Sequence, residues 1–224
     1  MSAMNIETVF KQDEAKLFCE EVIGNQQIKA KISKLLLYSI VGSAIYGFSM
    51  GLFHSPVQAL SSAIKVSCLF FLTLAICLPT LHFMGLLLGS KMKLTHTFTI
   101  LLTGIALNSI LLAAFAPISL FFLFSGSKYE FLLLMHVVIF AFCGIASLLS
   151  IKRNTSNVSQ IVNNGQEQSS STLLKAWFIV YMFIGTQMSY LLAPFIGKNE
   201  GFILLASEKG DFFSYLFKII LELL

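Results

Sequence analysis

Apolar residues fall along this chain in long unbroken runs rather than in stripes. Five such runs stand out, at 35–53, 66–89, 97–124, 131–151 and 173–197. Each is close to or longer than the roughly 20 residues that a helix needs to cross the ~30 Å hydrocarbon core of a bilayer. None shows the alternation of apolar and polar positions that barrel strands require. Inside a bilayer no water satisfies backbone N–H and C=O groups, so a span must close its hydrogen bonds within itself, and each run is predicted to be a helix. Pro79, Pro117 and Pro194 fall within three of the runs. They predict kinks, because proline removes a backbone donor and crowds the preceding turn. The predicted fold class is therefore all-α: a polytopic membrane helical bundle with about five transmembrane helices.

Composition agrees with that class. The 224 residues are 56% hydrophobic and 12% charged, with a mean hydropathy of +0.82, far from a soluble domain. More telling is where the acids are missing. Between Glu21 and Glu130 there is no Asp or Glu, although three of the five runs lie in that interval. Intramembrane carboxylates mark proton relays and cation paths, so proton- or cation-coupled transport loses its usual machinery here. The odd set of runs also fails to divide into two inverted halves.

Basic residues set an orientation. With the N-terminus cytoplasmic, the inner segments hold Lys11, Lys16, Lys29, Lys31, Lys34, Lys91, Lys93, Lys152, Arg153 and Lys175. The outer side then holds Lys65, Lys128, Lys198, Lys209 and Lys218. This asymmetry predicts N-in and C-out. The formal charge of +4 is thus a topology signal, and the dispersal of the lysines, with a single arginine, speaks against nucleic acid as a partner. The first run follows a long mixed-charge tail with no cleavable signal pattern and reads as a retained anchor.

The segments between runs each carry an expectation. In the tail 1–34, Ala15, Phe18, Cys19 and Val22 recur at helical spacing and predict a short amphipathic helix, docked on the bundle or on a partner. Ser55, Pro56 and Gln58 give an N-cap serine, a proline at the first helical position and a capping-box glutamine, so a helix should start at Pro56. Lys65 is expected to snorkel to the outer interface. The polar stretch 152–172, rich in Asn, Ser and Gln, reads as a flexible cytoplasmic linker. Its Asn154 and Asn157 match the glycosylation pattern, which has no consequence on that side of the membrane. The aromatic segment 211–224 is too short to span and reads as an outer interfacial helix within 198–224.

Inside the runs the signal is for packing. Ser39, Ser43, Gly47 and Gly51 form one row of small residues at intervals of four; Gly85 and Gly89 form a second; Gly185, Ser189, Ala193 and Gly197 form a third. Such rows let helix backbones approach closely, within one bundle or between chains. Intramembrane polar groups are few: His82, Asn108, His136 and Gln187. His82 and His136 lie near opposite ends of their helices, too far apart in depth to share a metal, and Asn108 is placed to hydrogen-bond His82. Cys68, Cys77 and Cys143 lie within runs as small apolar groups, and no pair has metal or redox spacing. Paired acidic motifs, His/Glu zinc patterns and nucleophile elbows are all missing from the sequence. No catalytic residue, cofactor or metal is predicted.

Three stretches carry a family resemblance: 46–51 (YGFSMG), 58–65 (QALSSAIK) and 185–197 (GTQMSYLLAPFIG). Together they resemble a group of short bacterial multi-span inner-membrane proteins to which no activity attaches. The five-span, N-in plan also resembles the Yip-type membrane trafficking family in topology alone, without that family's Asp-Leu-Tyr-Gly-Pro motif. The resemblance implies a multi-pass protein of the bacterial cytoplasmic membrane. From the residues we expect a non-catalytic structural or accessory subunit, with the lipid bilayer and other membrane subunits, or a second copy, as partners. A channel or transporter component for a neutral or lipidic solute is the alternative, and a membrane enzyme the third reading.

Overall fold

A computed structural model of the chain describes residues 28–87, 91–162 and 171–196. They form α1 (Ile28–Gly51), α2 (Pro56–Leu87), α3 (Leu94–Phe124), α4 (Tyr129–Val162) and α5 (Ser171–Leu191), with no strand among the described residues. The first four helices are long and apolar enough to cross a membrane.

The distribution of side chains is the reverse of a soluble amphipathic helix. On α1 the buried side holds Ser39, Gly42, Ser43 and Tyr46, while Leu37, Val41, Ile45 and Phe48 are exposed. Likewise α4 buries Ser147 and Ser150 and exposes Val138, Phe142, Ile145 and Leu149. Large apolar groups facing outward suit lipid. Small and polar groups facing inward suit close helix contact.

Short reversals join the helices. At the α1–α2 turn, the Gln58 N–H donates to Ser55 Oγ at 3.2 Å, so the serine caps a helix that begins at Pro56 as its sequence predicts. The α3–α4 turn runs through Gly126, whose φ of 75° lies in the left-handed region that only glycine enters cheaply. Its N–H reaches the Leu123 carbonyl at 3.3 Å and closes the helix end. α1 packs along both α2 and α3, α4 lies against α3, and α5 lies against α2. The core threads these seams, from Leu35 and Tyr46 on α1 through Val66 and Leu74 on α2 to Leu102, Leu112 and Ile151.

Two element boundaries depart from expectation. Helix α4 continues to Val162, so the first part of the polar stretch 152–172 is helical rather than linker, and Asn154, Thr155, Val158 and Ser159 on it are buried. Asn, Ser and Thr favour turns when solvated, but packing decides when the segment has neighbours. At the other departure, α5 ends at Leu191, short of the expected 197. Pro194 therefore lies beyond a helix end instead of kinking a span, following a cis Ala193–Pro194 bond. Pro79 and Pro117 do lie inside α2 and α3. The tail helix with Cys19, Gly89, Gly197 and the segment 198–224 fall outside the described residues.

Candidate functional site

The backbones of α1 and α2 come close together at two glycines. A Cβ built on Gly47 would stand 2.5 Å from the Ser62 carbonyl oxygen, and one on Gly51 would stand 2.5 Å from Ala59 Cα. No side chain fits in either place. Earlier in the same row, the Ser43 hydroxyl bonds the Ser67 hydroxyl of α2 at 2.7 Å, and Ser39 donates back to the Leu35 carbonyl at 2.8 Å. The row Ser39–Ser43–Gly47–Gly51 is thus occupied by this chain's own helix. Gly42, outside the row, is filled from the other side: its Cβ would meet the Ser109 carbonyl on α3 at 2.5 Å.

The same turns of α2 hold the end of α5. Gln58, Ser62 and Lys65 stand at i, i+4 and i+7, and therefore on one face of the helix. Against them lies the non-helical segment 192–196. Gln58 Nε2 donates to the Pro194 carbonyl at 3.0 Å and Lys65 Nζ to that same oxygen at 2.9 Å, while Ser62 Oγ donates to the Phe195 carbonyl at 2.6 Å. The segment after Leu191 is irregular backbone, and in a membrane bundle such backbone is tolerated where protein satisfies its polar groups. Three donors from α2 do so. Lys65, expected to snorkel outward, is instead 5% exposed and turned inward onto this carbonyl. Gln58, expected to complete a capping box, has its side chain engaged with Pro194 while its backbone N–H alone meets the Ser55 cap.

This clasp gathers the three stretches singled out by sequence. Residues 58–65 lie between the glycines of 46–51 on one side and residues 194–195 on the other. The clasp was readable in principle as a polar stripe at helical spacing in an apolar run. What the sequence did not show was where its partner lay.

The intramembrane polar residues are distributed differently from expectation. Tyr46 and His136, 0% and 4% exposed, share a 2.7 Å hydrogen bond between the Tyr46 hydroxyl and His136 Nδ1, joining α1 to α4. Their rings meet edge to face, and Phe140 meets Tyr46 the same way. His82 lies at the far end of the bundle, where its Nδ1 is 3.4 Å from Thr97 Oγ1. That contact corrects the expected Asn108–His82 bond: Thr97 is His82's partner, and Asn108 Oδ1 is buried without one. The two histidines are thus engaged separately. Gln187 is half-buried on α5.

Two other glycines have open space beside them. A Cβ on Gly185 would meet nothing within 4 Å, and the same holds for Gly144 on α4. Ser189 continues the Gly185 row on α5, half-buried; Ala193 lies past the helix end, and Gly85 is half-buried near the end of α2. By contrast Gly104, which sequence reading passed over, is closed by Ile151 and Ser147, and the Ser147 hydroxyl donates to its carbonyl at 2.8 Å.

Chemically, this assembly is one of donors tied to carbonyls and hydroxyls. Glu130 is the only carboxylate among the described residues, and no three His, Cys, Asp or Glu side chains among them gather as a metal site. The clasp can hold a helix end, but it presents no nucleophile beside a base. Searches of protein-family models, curated proteins and solved structures gave no match.

Proposed function

We propose that this chain is a non-catalytic accessory or scaffolding subunit of a membrane complex, with five spans and its N-terminus cytoplasmic. In this reading α5 is the fifth span, at 21 residues roughly 31 Å long, and the bacterial inner membrane is its location. One observation carries it: among the described residues nothing stands against Gly185, while Gly42, Gly47, Gly51 and Gly104 are all filled by the chain's own helices. Open space at Gly185 next to exposed Ile179, Met182 and Phe183 suits the close approach of another transmembrane helix, from a partner subunit or a second copy. The orientation draws on the lysine asymmetry.

The test is copurification in mild detergent of the natural protein and of Gly185→Leu. The expected result is a stoichiometric membrane partner, or a homo-oligomer, that Gly185→Leu releases without loss of the monomer. A chain that extracts as a monomer in every mild detergent, with nothing bound, would refute the scaffold reading. Impermeant thiol reagents applied to intact cells should fail to reach single cysteines placed in 163–170. A second reading, passage of a neutral or lipidic solute, draws on the buried hydrogen-bonding atoms of Asn108 and Ser109 that lack partners on α3.

A further inference from the structure

The α1–α2 and α3–α4 hairpins end at different heights. Gly42 on α1 faces the Ser109 carbonyl on α3, and Tyr46, a turn further along α1, bonds His136, which lies nearer the α3–α4 turn than does Ser147, the partner of Gly104. The two helices α1 and α3 therefore run the same way. Beyond the Gly42–Ser109 contact α1 continues to Gly51, roughly 13 Å of helix, whereas α3 continues to Phe124, roughly 22 Å. The α3–α4 tip thus stands roughly 9 Å past the end of α1. Its surface is aromatic: Phe121, Phe124 and Phe131 are 67%, 82% and 39% exposed. Between them Phe122 meets Phe121 edge to face and Phe131 at 5.2 Å, tying the rings of α3 to α4.

Lysines mark the opposite edge. Away from the tip, Lys34 lies roughly 12 Å and Lys152 roughly 15 Å from the level of the Gly42–Ser109 contact, and both are exposed. An exposed ammonium is costly in hydrocarbon and reaches for its edge, so the bilayer core ends near that level. A core of about 30 Å measured from there ends roughly 15–18 Å on the tip side of the contact. Phe121 and Phe124 stand roughly 18 and 22 Å on that side, at the core edge and within the headgroup layer, which adds about 5–7 Å per leaflet. Ile118, Phe121 and Phe124, all exposed, follow one another at every third position, so the apolar surface of α3 runs into the tip without a polar break.

We infer that the aromatic tip of the α3–α4 hairpin is a lipid-binding surface, seated in the headgroup layer of a phospholipid bilayer at the end opposite Lys34 and Lys152. Rings at this level bury their faces against the upper acyl chains, as aromatic side chains do at membrane interfaces. Lys128 and Glu130 at the turn carry one charge of each sign, so the surface suits zwitterionic lipid and does not select anionic headgroups. The inference rests on the reading that these helices span a bilayer and is independent of what approaches Gly185.

Ile45 supplies the control: exposed on α1 and roughly 4 Å on the tip side of the contact, it lies close to the midplane of that core. The full chain is reconstituted in phosphatidylcholine vesicles carrying a nitroxide either on the headgroup or deep in the acyl chain, and tryptophan quenching is measured for Phe124→Trp and Ile45→Trp. Trp177, 0% exposed, gives a background measured on the natural chain. Phe124→Trp is expected to be quenched about twofold more by the headgroup label than by the deep one, and Ile45→Trp in the reverse order. Stronger quenching of Phe124→Trp by the deep label overturns the inference, and so does quenching by neither label, which would leave the tip to water or to a protein partner. With Ile45→Trp normal, such a failure leaves the spanning reading standing. An Ile45→Trp probe without midplane preference removes the scale and overturns both. If Phe124→Trp fails to fold, Phe121→Trp carries the same test, and its quenching by neither label, or more by the deep one, overturns the inference.

Discussion

Gly47 and Gly185 occupy the same sequence pattern, a row of small residues at intervals of four within an apolar run, yet their surroundings are opposite. Gly47 lies on the backbone of α2, with no room for a methyl group; Gly185 has open space. A small-residue row states that a helix can be approached closely, not which helix approaches it. The α1 row is part of the fold. Gly185 on α5 is met by none of the described residues, and the functional reading rests on that difference.

Leucine at the two positions is the strongest way to break the comparison. In Gly47→Leu the side chain must displace the Ser62 carbonyl, and overpacking of this kind costs about 1–3 kcal/mol or more. The expected result is loss of the monodisperse peak in fluorescence-detected size exclusion. Gly185→Leu should keep the monomer's thermal midpoint, with a change within about 0.5 kcal/mol, as for an uncrowded surface position. If the two variants behave alike, the distinction between filled and open rows fails.

Next in size is the clasp. Lys65→Met removes the Nζ donor from Pro194, whose carbonyl keeps Gln58 as a partner. Loss of a charge-assisted bond costs about 1.5–3 kcal/mol, and the carbonyl's remaining partner together with the relief of a buried ammonium sets the expectation at the low end. The checks are thermal unfolding in detergent and thiol labelling of Ala193→Cys, which should quicken when the lysine is replaced. Unchanged labelling would mean that α5 is held by its apolar face on α2 alone.

Much of this fold was legible because the bilayer constrains it so tightly. The helices of the first four runs, the start of α2 at Pro56 and its Ser55 cap follow from apolar length and turn chemistry. What sequence could not supply was long-range pairing. Lys65 reads as an interfacial lysine because its acceptor, the Pro194 carbonyl, is 129 positions away and becomes available only where α5 stops. Depth alone pairs Asn108 with His82, but Thr97 is the group within reach of His82. The extension of α4 through Asn154 and Ser159 ran against local propensity, which packing overrode. The sites that resisted reading are those where a polar group's partner is set by tertiary contact.

A smaller effect is expected at the α1–α4 contact. Tyr46→Phe keeps the ring edge-to-face with His136 and Phe140 but removes the hydroxyl, leaving His136 Nδ1 without its 2.7 Å partner. The expected cost is about 1 kcal/mol, a single buried hydrogen bond. Thermal unfolding of the single variants Tyr46→Phe and His136→Leu and of the double variant completes a cycle. Additive losses would show that the bond contributes nothing.

The smallest effect separates packing from hydrogen bonding on the α3–α4 seam. Ser147→Ala deletes the hydroxyl that donates to the Gly104 carbonyl and leaves the Ile151 contact on Gly104 in place. That carbonyl sits within α3 and retains its helical partner, so no acceptor is stranded. Interhelical side-chain bonds of this kind are worth on average about 0.6 kcal/mol in membrane proteins, because the separated helices find substitutes. A shift of that size in the unfolding midpoint is expected for Ser147→Ala. Gly104→Ala, which drives a methyl group against Ile151, should cost more unless that flexible side chain turns aside. If Ser147→Ala proves the costlier of the two, the seam is held by its hydrogen bond and not by close approach, and the argument from filled glycines would weaken at α3 while standing at α1.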